Sequence, residues 1–309
     1  MKLKNKVLAV LLTMALVGVL GGCGKSNNAS GNAGNATTEP TQAATDAATE
    51  TPAATDTPST DNLSGTVTIT GSTSVEKILN DMIDEFTAAN PDVTINYTGT
   101  GSSAGIADAI SGANDIGASS RNLKDDEKTS GLKEVTFAYD GIAVAVNPAN
   151  TLKNITTEDL AKIFSGQITN WKDVGGKDAD IVVVSREGAS GTRSAFEELT
   201  KLEDAGGLTE NATVVEGNGN VQTAVAGNEN AIGYVSFSYI DSTVKALTVN
   251  DVEGTPENAK SGKYVLSRPF LFVYNEGKAS AAAKAFVDFS LSDDGQAFVE
   301  KHGGIKLDK

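Results

Sequence analysis

The chain has 309 residues, with 25 Lys and Arg against 40 Asp and Glu and a formal charge of −15. That balance disfavours nucleic acid and a basic membrane-docking face, since a strongly acidic surface repels other polyanions. One cysteine and one histidine exclude an intrachain disulfide and any multi-cysteine or multi-histidine metal site.

Lys2, Lys4 and Lys6 open the chain, and residues 7–20 follow as an almost wholly apolar stretch. It is shorter than the ~20 residues of a spanning helix and fits the apolar region of a secretory leader. It ends in Leu20-Gly21-Gly22-Cys23, which resembles the bacterial lipobox. The resemblance implies cleavage before Cys23 and lipid (palmitate among the acyl groups) on its sulfur, with residues 1–22 as a lipoprotein signal peptide. Loss of the three leader lysines takes the charge to −18. Residues 24–62 contain no Leu, Ile, Val or Phe, so they cannot bury enough apolar surface to offset ordering entropy. Residues 23–62 are therefore expected to be a lipidated cysteine and a disordered tether, reaching on the order of 35 Å as a random coil.

The body spans 63–309. Residues 67–70 alternate as a short strand. Val75, Ile78, Leu79, Met82, Ile83 and Phe86 then recur at helical spacing up to Pro91. A second alternating strand at 93–98 leads through "GTGSSAGIADAISG" into a short helix, and "NDIGASSRN" reads as a brief strand and a polar turn. Residues 137–146 form a buried strand with a break at Asp140-Gly141. "NITTEDLAKIFSG" is a capped helix closed by Gly166. The continuous apolar run at 181–184 has the character of a strand inside a parallel sheet, and a helix follows around 196–199. Strands at 213–215, 231–235 and 264–274 and helices at 279–289 and 295–302 complete the pattern. The alternation predicts an α/β class with parallel sheets.

Four polar turns share one composition: "GSTS" (71–74), "GTGSSAG" (99–105), "GASSR" (117–121) and "REGASGTR" (186–193). Each offers glycine, hydroxyls and backbone N–H groups at or near a predicted helix start, where orphan donors and a partial positive charge favour anions. Capping alone explains any one of them. In an α/β sheet several such turns converge beyond the carboxyl ends of the strands, which suits one small oxyanion. "GSSAG" also matches a nucleophile-elbow pattern with Ser103 as nucleophile, but the lone His302 sits in a charged C-terminal segment with nothing evident to orient it.

The order "TITGSTSVEKIL", "NYTGTGSSAGIADAISGANDIGASSR", "DGIAVAVNP", "LAKIFSGQITNWKDVGG", "SREGASGTRSAFEEL" and "NAIGYVSFSYI" resembles the phosphate-binding proteins of bacterial ABC importers, the PstS-type solute receptors. The resemblance covers residues 66 to about 300. It implies an α/β, two-lobed periplasmic-binding-protein (Venus-flytrap) fold, type II-like, with the ligand in the interlobe cleft. Lobe I would hold 63–140 and 247–309, and lobe II 141–246.

Position by position, Thr73 and Ser74, with Ser72 beside them, match the first phosphate-binding turn, and Ser102 matches the serine after the glycine-rich bend. Arg186, Ser190, Gly191 and Thr192 match the second-lobe arginine and S-G-T amides. The family pattern ends its "DxGAS" turn on an aspartate that accepts a hydrogen bond from protonated phosphate. Here that position is Ser120, followed by Arg121; both are expected phosphate contacts, Arg121 alternatively an interlobe pairing residue, and either Asp140 or Glu187 supplies the acceptor or discrimination is weaker. Trp171 and Phe270 are read as packing residues, and Arg193 as a surface or interlobe ion-pair partner.

The implied protein is not an enzyme and needs no cofactor. It is a monomer, lipid-anchored through Cys23 on the extracytoplasmic face of the membrane, that passes inorganic phosphate to an ABC permease and ATPase complex. The alternatives are a receptor for another tetrahedral oxyanion (sulfate, molybdate) and, from another class, a Ser103 hydrolase.

Overall fold

The computed structural model describes residues 63–308; the leader, Cys23 and the expected tether lie outside the described residues. In chain order the elements are β1 (Gly65–Gly71), α1 (Glu76–Ala89), β2 (Val93–Thr98), α2 (Ser102–Ser111), β3 (Ile116–Ser119), α3 (Asp125–Lys128), β4 (Lys133–Val146), β5 (Asn154–Ile155), α4 (Thr157–Phe164), β6 (Val182–Arg186), α5 (Gly191–Thr200), β7 (Thr213–Val215), α6 (Gly217–Ala226), β8 (Ala231–Ser236), β9 (Lys245–Ala246), β10 (Thr248–Val249), α7 (Pro256–Lys260), β11 (Ser267–Tyr274), α8 (Ala281–Leu291) and α9 (Asp293–Lys301).

The local logic of α1 is direct. Ile78, Leu79, Met82 and Phe86 bury one face, the spacing of a 3.6-residue period. Asn90 ends the helix with its backbone N–H on the Phe86 and Thr87 carbonyls, and Pro91 cannot extend it. The helix α6, by contrast, escaped the sequence reading. Its "GNGNVQTAVA" carries two glycines, which weaken the helical signal.

The main sheet runs in the order β2-β1-β3-β11-β4-β8-β6-β7, with β9 on β4. The expectation of wholly parallel sheets is corrected here. β1 is parallel to β2 and β3, and β6 to β7 and β8, but β11 is antiparallel to β3 and β4, and β4 to β8. The antiparallel strands are the ones that carry the chain across the molecule and back. The apolar run of β6 did report its setting, since it has parallel neighbours on both sides.

β4 pairs with β11 up to Gly141 and with β8 from Ile142 onward. The break expected at Asp140-Gly141 is thus an exchange of partners within one continuous strand. A side chain at 141 would meet the Phe237 ring, since a Cβ there lies 2.0 Å from Cζ; only glycine lets β4 pass.

The two largest apolar cores among the described residues draw on the two halves of β4. The first gathers Val67, Ile69, Ile78, Met82, Phe86, Phe137, Phe270, Phe272 and Phe286. The second gathers Ile142, Val144, Leu160, Phe164, Trp171, Phe196 and Tyr234. Phe270 and Trp171 are packing residues, as expected; the Trp171 Nε1 donates to the Asn230 carbonyl at 3.0 Å. Leu247, Val249, Ala259, Tyr264 and Leu266, expected in the first lobe, pack in the second core. The reason is that 247–266 runs beside β5 and α4 before β11 crosses back, and β11 begins at Ser267, not at 264.

Candidate functional site

The polar turns converge where β4 and β11 cross. The β1–α1 turn brings Ser72, Thr73 and Ser74. The hydroxyls of this turn were expected to cap α1, but the cap residue is Val75 and no side chain caps it. The helix α2 likewise starts at Gly101 without a side-chain cap. Thr73, Ser74 and Ser102 therefore keep their hydroxyls for other partners. Of the hydroxyls matched to the phosphate turns, Ser190 behaves as a helix cap, its Oγ accepting from the Arg193 backbone N–H at 3.2 Å.

Those hydroxyls meet groups from the opposite side of the cleft. Ser74 Oγ lies 2.9 Å from Thr192 Oγ1. Arg186 Nη2 donates to Thr73 Oγ1 at 3.2 Å. Asn218 Nδ2 donates to both Thr73 Oγ1 and Ser74 Oγ at 3.1 Å, and its own carbonyl accepts from the Ser236 N–H at 3.0 Å. Gly191 presses against the β2–α2 turn: a Cβ there would sit 2.2 Å from Ser102 Oγ and 2.7 Å from Ser120 Oγ. The Ser103 backbone N–H donates to the Ala189 carbonyl at 3.0 Å. Ser120 N–H donates to Ser102 Oγ at 3.0 Å. A cavity of about 460 Å³ between α4 and α5 is lined by none of these residues; the cleft groups themselves are in contact.

Two guanidiniums sit at the centre. Arg186 is 1% exposed and is clamped by Glu187, with Nε to Oε2 at 2.8 Å and Nη2 to Oε1 at 2.7 Å. Its Nη1 is buried and has no hydrogen-bond partner. Desolvation works to raise the Glu187 carboxyl, but the hydrogen bonds and charge of Arg186 prevail and hold it below its ordinary value. Arg268 is 3% exposed. Its Nη2 donates to Asp140 Oδ2 at 2.9 Å and to Ser74 Oγ at 3.0 Å, and its Nη1 to the Ser120 carbonyl at 3.2 Å. Burial raises the Asp140 carboxyl and lowers the Arg268 guanidinium, while each partner's charge opposes the other's shift. Guanidinium remains protonated in proteins, and it meets Asp140 Oδ2 through both Nε and Nη2.

The structure brings together Thr73, Ser74, Ser102, Ser120, Asp140, Arg186, Gly191 and Thr192. Ser72 shapes the first turn, its Oγ accepting from the Ser74 N–H at 3.1 Å and its carbonyl from Tyr97 Oη at 2.6 Å. Arg121 is directed elsewhere: both terminal nitrogens bond Glu127 at 2.7 Å, and Nη2 reaches Ser103 Oγ at 3.1 Å. Arg193 pairs with Glu197 one turn on and also donates to the Arg186 carbonyl at 3.1 Å. Ser103 has no histidine near it. His302 Nε2 lies 2.7 Å from Asp81 Oδ2, beside Lys301, so the elements of a hydrolytic triad are not assembled.

Sequence reasoning missed Arg268, Asn218 and Tyr239. Arg268 stood in a strand read as core, and a charge inside an apolar run was the only signal. Tyr239 Oη bonds the Thr73 carbonyl and Glu76 Oε2, both at 3.1 Å, and Lys77 Nζ lies 4.3 Å from the Tyr239 ring centre and donates to the Ser238 carbonyl at 2.8 Å. These contacts join α1 to the segment after β8.

Residues 35–294 match the family model described as a PBP superfamily domain. The phosphate-binding protein PstS of Borreliella burgdorferi is 36% identical over 246 residues, 76% of this chain and 88% of that protein. The chain belongs to the PstS family of phosphate-binding proteins. Among solved structures, a phosphate ABC transporter substrate-binding protein from Clostridium perfringens with bound phosphate is similar at 48% identity and a TM-score of 0.77, covering 79% of this chain and all of that one. An ABC-type phosphate transport receptor from Vibrio cholerae is similar at 36% identity and a TM-score of 0.67, covering 78% of this chain and all of that one. The fold is thus the two-lobed periplasmic-binding-protein fold. The PstS resemblance in the polar turns falls on residues that this fold places in contact across the cleft.

Proposed function

We propose that the chain captures inorganic phosphate between its two lobes and delivers it to an ABC permease. The observation that carries this reading is the Arg186 guanidinium, buried and clamped, with Nη1 left without a hydrogen-bond partner. An orphaned charged donor at a closed interlobe contact is unfavourable by itself and is matched by an anionic oxygen. Hydroxyls from Thr73, Ser74, Ser102 and Thr192, with the amides at the start of α5, supply the further donors a buried dianion requires. Binding draws the lobes together because only the closed form lets both sets of donors reach one anion. No covalent step is involved.

In this reading lobe I holds 63–140 and 267–309, and lobe II holds 141–266, with the crossovers at Gly141 and Ser267. Cys23 carries lipid and 24–62 tethers the receptor to the outer face of the cell membrane, where it works as a monomer. Arg121, pinned by Glu127, supports the fold of the "GASSR" turn and is set aside as a ligand contact.

Equilibrium binding of labelled phosphate, with sulfate, arsenate and molybdate as competitors, tests the reading. Arg186→Ala is expected to abolish binding and Ser103→Ala to leave it intact, with no hydrolysis in either protein. Phosphatase or esterase turnover lost on Ser103→Ala overturns it. Stronger competition by sulfate or molybdate than by phosphate itself moves the ligand to another oxyanion.

A further inference from the structure

The second guanidinium has no role in the reading above. Arg268 stands on β11, 82 positions after the Arg186 of β6, yet it reaches the same cluster through Ser74. The two arginines are built alike. Each presents Nε and Nη2 to a carboxylate, Glu187 for Arg186 and Asp140 for Arg268, and each sends Nη2 to a hydroxyl of the β1–α1 turn. Thr73 and Ser74, the two hydroxyls contacted, are neighbours in sequence, so the guanidiniums converge on one spot. Two buried cations this near one another repel, and each is balanced by its own carboxylate.

Asp140 was one of two carboxylates expected to accept the phosphate proton. Its oxygens are already taken: Oδ1 accepts from Ser236 Oγ at 2.9 Å, and Oδ2 accepts from Arg268 Nε at 3.2 Å and Nη2 at 2.9 Å. Glu187 is occupied in the same way by Arg186, with the Gly217 N–H at 3.4 Å on Oε2. At the position where the family pattern has aspartate stands Ser120, whose hydroxyl can donate as well as accept.

We propose that Arg268 is a second cationic contact to the bound oxyanion, that Asp140 is its fixed counter-charge and not the acceptor of the ligand's proton, and that hydroxyls alone meet that proton. On ligand entry Ser74 Oγ and Arg268 Nη2 turn from each other to the anion. A charge-balanced clamp of this kind grips tetrahedral oxyanions through donors, and its preference among them does not run through Asp140. This rests on the oxyanion reading of the cleft.

The test uses calorimetric titration of the folded protein with inorganic phosphate, arsenate and sulfate. Wild type is titrated first. Phosphate binding there tests the receptor reading alone, and the role of Arg268 is then scored with whichever of the three anions the wild type binds. Arg268→Gln by itself would strand a buried carboxylate, so the variants are Arg268→Lys, which keeps a charge but loses the fork, and the double change Asp140→Asn with Arg268→Gln, which removes both charges. Thermal melts report which variants fold, and Arg268→Lys decides alone if the double variant does not. Both folded variants are expected to lose affinity for every anion the wild type binds by a similar factor, on the order of 10- to 100-fold. Wild-type affinity in a folded variant overturns the role of Arg268. A double variant that loses phosphate but keeps or gains sulfate overturns the counter-charge role and makes Asp140 the proton acceptor. A wild type that binds none of the anions overturns both this inference and the reading beneath it.

Discussion

Gly191→Ala separates closure from folding. Gly191 is the first residue of α5 and its φ is not positive, so alanine is tolerated locally and improves helix propensity by up to ~1 kcal/mol. In the closed cleft, however, the new Cβ lies 2.2 Å from Ser102 Oγ and 2.8 Å from Ser102 Cβ. Non-bonded atoms rest near ~3.5 Å, so the two turns must part by roughly 1 Å. The contacts between Thr192 and Ser74 and between Arg186 and Thr73, at 2.9 and 3.2 Å, then stretch to about 4 Å, beyond hydrogen-bond range. Ligand oxygens held between the same turns lose the same reach. Losing two hydrogen bonds to a charged group removes ~3–6 kcal/mol, which is on the order of 100-fold or more in affinity at ~1.4 kcal/mol per tenfold. The assay is calorimetric phosphate binding beside a thermal melt without ligand. The expected pattern is a melting temperature at or above wild type with binding lost. Phosphate affinity within about threefold of wild type refutes the claim that this closed contact is the binding geometry.

Tyr239→Phe removes the hydroxyl that bonds the Thr73 carbonyl and Glu76 without touching the anion donors. At ~1 kcal/mol for a net hydrogen bond, affinity is expected to fall several-fold, and small-angle scattering is expected to show a larger open fraction without ligand; unchanged values on both counts refute a role for Tyr239 in holding the cleft closed. Phe286→Ala in the first core, where the ring is fully buried and meets Phe86 edge-on at 5.4 Å between centroids, is expected to destabilise by ~3–5 kcal/mol in a urea titration. For pH, Glu127 and Glu187 are both held below the ordinary carboxyl range, against desolvation, by Arg121 and Arg186. A lowered folded-state value contributes stability that is full above the unfolded value and is lost as pH falls through the folded one. Melting temperature is therefore expected to drop below about pH 4.5, and Glu127→Gln and Glu187→Gln are expected to lose less over that span than wild type. Equal slopes in all three proteins contradict the ion-pair assignment.

What the chain determines locally could be read from it directly. Apolar spacing located α1, α4, α8 and α9, because a helix face repeats every few residues whatever packs against it. The buried run of β6 announced neighbours on both sides. The donor-rich turns stood out because glycine, hydroxyl and arginine chemistry is written in adjacent letters, and their order was enough to place the chain in its family. Tertiary structure alone decided which of those donors share a site. Arg268 reaches Ser74 across 194 positions and Asp140 across 128, and no local pattern encodes such a meeting. It also paired Arg121 with Glu127, only six residues away, a partner that the composition of the turn did not announce. The spacing of side chains sets the elements; the crossing of β4 and β11 sets which elements face each other, and the anion chemistry arises only where they do.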